Sequence, residues 1–263
     1  MSTHATSTEA APPEVGATGD IVWDRIWHRV PSVEKDAAML ARESRSRRWS
    51  LITDRLTRDF GSLQGLRTIE LGSGRGDLSV LLAQQGARVT LLDANESALE
   101  QARTRFEGLG LTADYVKGNL LAPEASWSSR FEVALSSGVI EHFRGEDRTE
   151  VVRAHHMALR PGGTAVISVP YAWCVPYRIW KCYLELRSWW PYGMEIPYTR
   201  RELRSHAQRV GFTDTETWTM GFLQSVGVHW WQRLAGSRPV WAESNSRLDS
   251  IMGLVLLLFA RRA

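Results

Sequence analysis

The 263-residue chain predicts an α/β fold, a doubly wound and mostly parallel sheet with an antiparallel last strand. Two observations predict it. Between residues 67 and 170, short stretches of strand character alternate with stretches of helical period. Repeated β–α units of that length pack as parallel strands with helices on both faces. A glycine-rich turn, "GSGRG", also falls at the first junction of strand and helix. An apolar fraction of 43% and a charged fraction of 23% are those of a globular chain able to bury a full core.

The elements follow in order. Residues 1–20 have neither a charged n-region nor an apolar h-region and read as a disordered tail. Residues 21–263 read as a single domain, opened by N-terminal helices over 21–62. There Trp49, Ile52, Leu56 and Phe60 recur at helical spacing and Gly61 stops the run. "LRTIEL" is the first strand, "DLSVLLAQQ" a helix ending at Gly86, and "ARVTLLD" the second strand. Asn95 caps a helix carrying Leu99, Ala102 and Phe106 on one side. "ADYVKG" and "FEVALSS" are the third and fourth strands. A helix from about Asp147 to Leu159 stops at "RPGG", and "TAVISVP" is the fifth strand.

Thr199 and Glu202 form a capping box that opens a helix running to Gly211. "TDTETWTM" and "LVLLLFARR" are the last two strands. The longest apolar run, "IMGLVLLLFA", is too short to cross a ~30 Å hydrocarbon layer as a helix and reads as a buried strand. Two stretches, 171–198 and 221–250, break the β–α rhythm and read as lid-like insertions. In the first, Pro176 can begin a helix and Pro191 end it, and Ile179, Tyr183, Leu186 and Trp190 share one face. The second holds Trp230, Trp231 and Trp241.

Composition narrows the function. Cys174 and Cys182 make neither a disulfide framework nor a metal pattern, which favours a reducing cytoplasm, and without H-E-x-x-H no metal site is expected. A net charge of +3 is too small to imply nucleic acid, and the arginines at 42–48 and 200–209 read as solvated helix faces.

The glycines decide more. A triphosphate loop would end in Gly-Lys-Ser/Thr, which is absent. A dinucleotide loop would need its third glycine where Asp77 stands. The spacing here is Gly72-x-Gly74-x-Gly76, with Glu70 two residues before it and Asp93 closing the second strand. Asp93 can accept both hydroxyls of a ribose. Glu70, a carboxylate inside a strand, needs a cationic or hydrogen-bond-donor partner, and an amino-acid ammonium would serve. S-adenosylmethionine carries a ribose at one end and an amino acid at the other.

With "TIELGSGRG", "SSGVIEHF" and "LRPGG" in hand, the chain resembles class I S-adenosylmethionine-dependent methyltransferases, over roughly residues 45–170. The nearest flavour is the small-molecule branch that includes ubiquinone-pathway O-methyltransferases. The resemblance implies a Rossmann-like sheet with N-terminal helices and a helical lid. It implies that Glu70, Gly72, Ser73 and Gly74 hold the methionine part and Asp93 the ribose. Asn119 and Leu120 would meet the adenine from one side and Ala94 from the other, and the Ser136 carbonyl would meet the ammonium.

Methyl transfer to a hydroxyl needs alignment and removal of a proton. Because ligands bind beyond the carboxyl ends of strands, Ser137, Glu141 and His142 fall beside the methyl group. His142 is the preferred base, with an ordinary pKa near working pH; orienting the loop is its structural alternative. Tyr171 is a second candidate, as a base or as a pocket wall. His155 and His156 read as structural.

Trp173, Trp180, Tyr183, Trp189 and Trp190 suit an apolar or planar acceptor; packing of the insertion and contact with a membrane surface are the other readings. The expected activity is methylation of a small molecule, at oxygen first and at nitrogen or carbon next, in secondary-metabolite or sugar-derived biosynthesis. A non-catalytic cofactor-binding relative and an NAD-dependent oxidoreductase are the alternatives.

Overall fold

A computed structural model describes residues 22–23, 26–27, 31–235 and 244–263. The tail at 1–20 and Trp241 lie outside the described residues. Seven strands form one sheet: β1 (Arg67–Leu71), β2 (Arg88–Asp93), β3 (Ala113–Lys117), β4 (Phe131–Ser137), β5 (Leu159–Pro170), β6 (Phe212–Met220) and β7 (Val255–Arg262). Their spatial order is β3-β2-β1-β4-β5-β7-β6. The first five run parallel, and β7 lies antiparallel between β5 and β6. The chain reverses its order between β1 and β4, the place where open α/β sheets bind ligands.

Helices cover both faces because both strand faces are apolar. α1 (Val33–Glu43), α2 (Arg47–Phe60), α3 (Asp77–Gln84) and α4 (Glu96–Gly108) belong to one side. There Ile52, Leu56, Leu78, Leu82 and Phe106 pack against Leu91, Val133 and Phe259. On the other side α5 (Asp147–Ala158) and α7 (Arg200–Arg209) bring Val151, Ala154 and Leu203 onto Ile69, Ala134, Ile167 and Leu258. Burying each large side chain fully contributes about 1.5–3 kcal/mol before chain entropy is counted. α6 (Val175–Leu186) follows β5 within the 171–198 insertion.

Local signals place the boundaries. Asn95 accepts from the Ala98 N–H at 3.0 Å, and Thr199 and Glu202 make the expected reciprocal cap on α7. Four boundaries differ from the sequence expectation. The helical stretch expected over 21–62 is interrupted between α1 and α2, because Ser46 is in extended backbone and caps α2 through Trp49. β5 starts at Leu159 rather than Thr164, since Leu159 already pairs with Phe131 before a bulge at the glycines. The last strand begins at Val255, and Ile251 and Met252 fall instead in a helical turn, Asp249–Met252.

The fourth difference is in α6. It stops at Leu186, five residues before Pro191, and its stripe of Ile179, Tyr183 and Leu186 points to solvent, with Leu186 81% exposed. Tyr177 and Lys181 form the buried face. Lys181 can lie there because its ammonium pairs with Glu185 and rests over the Trp190 ring.

Candidate active site

The turn from β1 into α3 is built from backbone. Gly72, Gly74 and Gly76 have φ of +69°, +51° and +70°, the left-handed region that costs other residues strain. A Cβ on Gly72 would lie 2.7 Å from a Val139 methyl, and one on Gly76 2.5 Å from a Leu91 methyl. The Gly72 and Ser73 N–H groups donate to the Leu92 carbonyl at 2.8 and 3.0 Å, which locks the loop to the end of β2.

Two carboxylates flank it. Asp93 accepts from the Gly74 N–H at 2.7 Å and from the Asn95 N–H at 2.9 Å, one on each oxygen. Each oxygen keeps a lone pair for a further donor. Burial raises Asp93 above the usual carboxylate range, against those hydrogen bonds. Glu70 is 3% exposed and accepts from the Ser79 N–H at 3.1 Å and the Ser79 hydroxyl at 2.6 Å. Burial pushes it up to about 7, with the nearby Asp77 charge adding to the rise and Arg48 opposing it. Beside it the buried Ser73 Oγ has no hydrogen-bond partner among the described residues.

Asn119 is exposed, and its Oδ1 accepts from the Leu121 N–H at 2.9 Å as in a tight turn. Leu120 is buried and Ala94 exposed, across the carboxyl end of β2. Ser136 bonds its hydroxyl to His155 Nε2 at 2.9 Å, and His155 Nδ1 donates to the Val151 carbonyl at 2.8 Å. Burial drives His155 down to about 4, so this pair is neutral and fastens α5 to β4.

After β4, a 3₁₀ turn, Ile140–His142, carries the next group. His142 Nδ1 lies 2.7 Å from the Met194 carbonyl, which can only accept. Nδ1 therefore holds the proton, and the lone pair of the neutral ring is at Nε2. Burial, with the Lys181 charge, holds the ring below the usual histidine range, so it is neutral at neutral pH. The Trp23 ring meets it edge-on, with centroids 4.9 Å apart.

Glu141 is 2% exposed and its Oε2 has no described partner. Burial pushes Glu141 up to about 8, and the Glu195 charge contributes. Donor atoms of Glu141, His142 and Glu195 all fall within 4.8 Å of one another, a spacing that could hold a cation although no sequence motif announces it. Tyr177 donates to Glu195 and anchors it. Tyr171 is buried at the end of β5, with the Arg200 guanidinium 5.6 Å from its ring.

Sequence reasoning missed three contributors. Arg48 donates to Glu43 at 2.8 Å, to Ser137 Oγ at 2.8 Å and to Ser168 Oγ at 3.2 Å, so it joins α2 to the carboxyl ends of β4 and β5. Glu195 arrives from the insertion 54 positions after Glu141, with no local pattern to mark it. Trp27, whose ring would stand 2.5 Å from a Cβ on Gly74, lies on the glycine loop. Within the 171–198 insertion, by contrast, Trp173 and Trp189 are largely exposed and Trp180 stacks on the exposed Tyr183, whereas Trp190 turns inward against Tyr177.

Known proteins resemble this arrangement. Residues 69–163 match the family described as a methyltransferase domain. Ubiquinone biosynthesis O-methyltransferase of Stutzerimonas stutzeri is 36% identical over 107 residues, 41% of this chain and 45% of that protein. The same-named protein of Ruegeria pomeroyi is 36% identical over 120 residues, 44% of this chain and 47% of that one. The chain thus spans about half the length of the curated relatives it matches.

Among solved structures, magnesium protoporphyrin IX methyltransferase from Synechocystis PCC 6803 with bound S-adenosylmethionine gives a TM-score of 0.59 at 17% identity, covering 97% of this chain and 100% of that one. Burkholderia thailandensis 1,6-didemethyltoxoflavin-N1-methyltransferase gives 0.58 at 17%, covering 98% and 93%. These likenesses show a shared fold over nearly the whole chain.

Proposed function

We propose that this chain transfers a methyl group from S-adenosylmethionine to a hydroxyl of a small-molecule acceptor. The observation that carries the reading is the side-chain-free turn at Gly72, Gly74 and Gly76, held by Asp93 on one flank and backed by buried Glu70 on the other. The residues fit the cofactor. The Ser73 hydroxyl, unpartnered among the described residues, calls for a ligand atom, the raised Glu70 is a buried acid whose ionised form an ammonium would favour, and Asp93 retains acceptor capacity for ribose hydroxyls.

In this reading Glu70, Gly72, Ser73 and Gly74, with the Ser136 carbonyl, hold the amino-acid end, and Arg48 is the cation available to its carboxylate. Asp93 holds the ribose; Ala94, Asn119 and Leu120 hold the base, with the second lone pair of Asn119 Oδ1, beside its bond from the Leu121 N–H, accepting from the adenine amino group. When bound, the cofactor supplies a methyl already activated by the sulfonium. His142 removes the acceptor proton through Nε2, and its bond to Met194 fixes the ring orientation. Glu141, protonated at neutral pH, donates to the acceptor rather than deprotonating it. Tyr171 is a wall and not a base. Trp23, Trp27 and Trp190 suit an acceptor with an apolar or planar part, as secondary-metabolite or sugar-derived substrates offer.

Isothermal titration of S-adenosylhomocysteine tests the first step. Micromolar binding by the wild-type chain, no binding of NADH, and at least a hundredfold loss in Asp93→Ala are expected. NADH binding in place of adenosylhomocysteine overturns the reading.

A further inference from the structure

A second cleft, of about 720 Å³, opens between the α1–α2 elbow and the ends of β6 and β7. That volume suits a small organic ligand. One wall carries Arg42, Arg45, Arg47 and Arg48, and the other carries Met220 and Val255. Among the described residues the charge is not balanced locally. Glu43 is the acid in the lining, and its Oε1 is taken by Arg48 and by the Ser46 hydroxyl. Arg47 lies over the Trp218 ring, and neither Arg42 nor Arg45 makes a salt bridge to a described residue. The first turn of α2 has no acidic residue and two arginines, the reverse of what a helix N-terminus prefers. Such a surface gains from an anion that the described residues do not supply.

Position ties this cleft to the reaction. Arg48, at its inner end, bonds Ser137 and Ser168 where β4 and β5 terminate, and Met220 and Val255 stand at the same end of the sheet. The cleft therefore opens at the carboxyl ends of the strands, the same end of the sheet from which the turn bearing His142 follows β4. Arginine forks bind carboxylate and phosphate oxygens in pairs. Methionine and valine offer an apolar rest for the body that carries such a group.

We propose that this cleft is the acceptor's anchoring subsite and that the acceptor carries an oxyanion, a carboxylate or a phosphate, held by Arg42 and Arg45. The proposal rests on the methyltransferase reading for its meaning and on its own titration for its test. Benzoate, phenyl phosphate and neutral benzamide are titrated into the full chain saturated with S-adenosylhomocysteine, and again without it. At least one oxyanion should bind at least tenfold more tightly than benzamide and weaken with added NaCl; comparison of benzoate with phenyl phosphate names the group.

The double variant Arg42→Gln, Arg45→Gln should lose that binding tenfold or more and keep its affinity for S-adenosylhomocysteine. Arg153→Gln, on the far helix α5, should lose none. Equal binding of benzamide and both anions, or unchanged anion affinity in the double variant, overturns the proposal. If the double variant melts early, Arg45→Gln alone carries the same comparison. Failure of S-adenosylhomocysteine to bind would instead overturn the methyltransferase reading, and the anion titration without it would still decide the cleft.

Discussion

The half of the molecule from β1 to α4 and the half that follows β4 build their candidate sites by different physical means. In the first, backbone does the work: three positive-φ glycines, the loop N–H groups and one carboxylate at the end of each strand, all within 26 residues. In the second, side chains do it. His142 is oriented by a carbonyl from the insertion, Glu141 faces Glu195, and Arg48 reaches in from a helix that precedes the whole sheet. A cofactor shared by many reactions is served by a local, rigid turn, whereas an acceptor pocket assembled from distant segments can change without disturbing it.

The contrast can be broken at several points. The largest effect is expected at His142. With an acceptor found by panel screening, His142→Ala should lower kcat by about 10²–10⁴-fold with S-adenosylhomocysteine affinity unchanged, measured by single-turnover kinetics and titration. Wild-type turnover in the variant would remove the base from the second half. Because burial lowers the His142 pKa, the basic limb of turnover should persist below pH 6.5 and fail only on further acidification.

Next is the shared scaffold. Phe106 is fully buried under the glycine loop's helix, and Phe106→Ala should cost about 3–5 kcal/mol in urea unfolding. A smaller loss would mean that α4 is loosely packed and that the turn is rigid for some other reason.

Proton linkage sharpens the comparison. Glu70 sits near 7 because it is buried, and an ammonium beside it favours the ionised form. Cofactor binding at pH 6 should therefore release a proton, and affinity should rise by up to tenfold per pH unit toward pH 7. Titration in buffers of different ionisation enthalpy measures this, and Glu70→Gln should abolish the release. The sign for folding is opposite: a carboxyl whose folded pKa is raised contributes stability fully below its unfolded value of 4.5. That contribution is lost as the pH climbs through about 7 for Glu70 and about 8 for Glu141.

The smallest effect is expected on the outer face of α6. Leu186→Ala should change stability by less than about 0.5 kcal/mol, because the side chain is 81% exposed. A loss of 2 kcal/mol or more would return the stripe to the core.

Much of the fold was legible because its signals are local. The Asn95 and Thr199 caps, the apolar runs of β1, β2, β4 and β7 and the glycine spacing each depend on residues within a few positions of one another. The α6 stripe misled for a related reason. Its period is helical, but period alone does not say which face is buried, and Lys181 turned inward once Glu185 and Trp190 were there to hold its charge. Arg48 was unreadable among four arginines at 42–48, since only the fold separates the one that reaches Ser137 from the others that line the cleft.

By itself the sequence determined the order of strands and helices, the turn at Gly72–Gly76 and the acids beside it, because backbone conformation answers to neighbours along the chain. Tertiary structure alone decided that Glu195 stands by Glu141, that Nε2 of His142 carries the lone pair, and that Arg48 spans two strand ends. Those depend on burial and on partners more than fifty positions away, where no periodicity reaches.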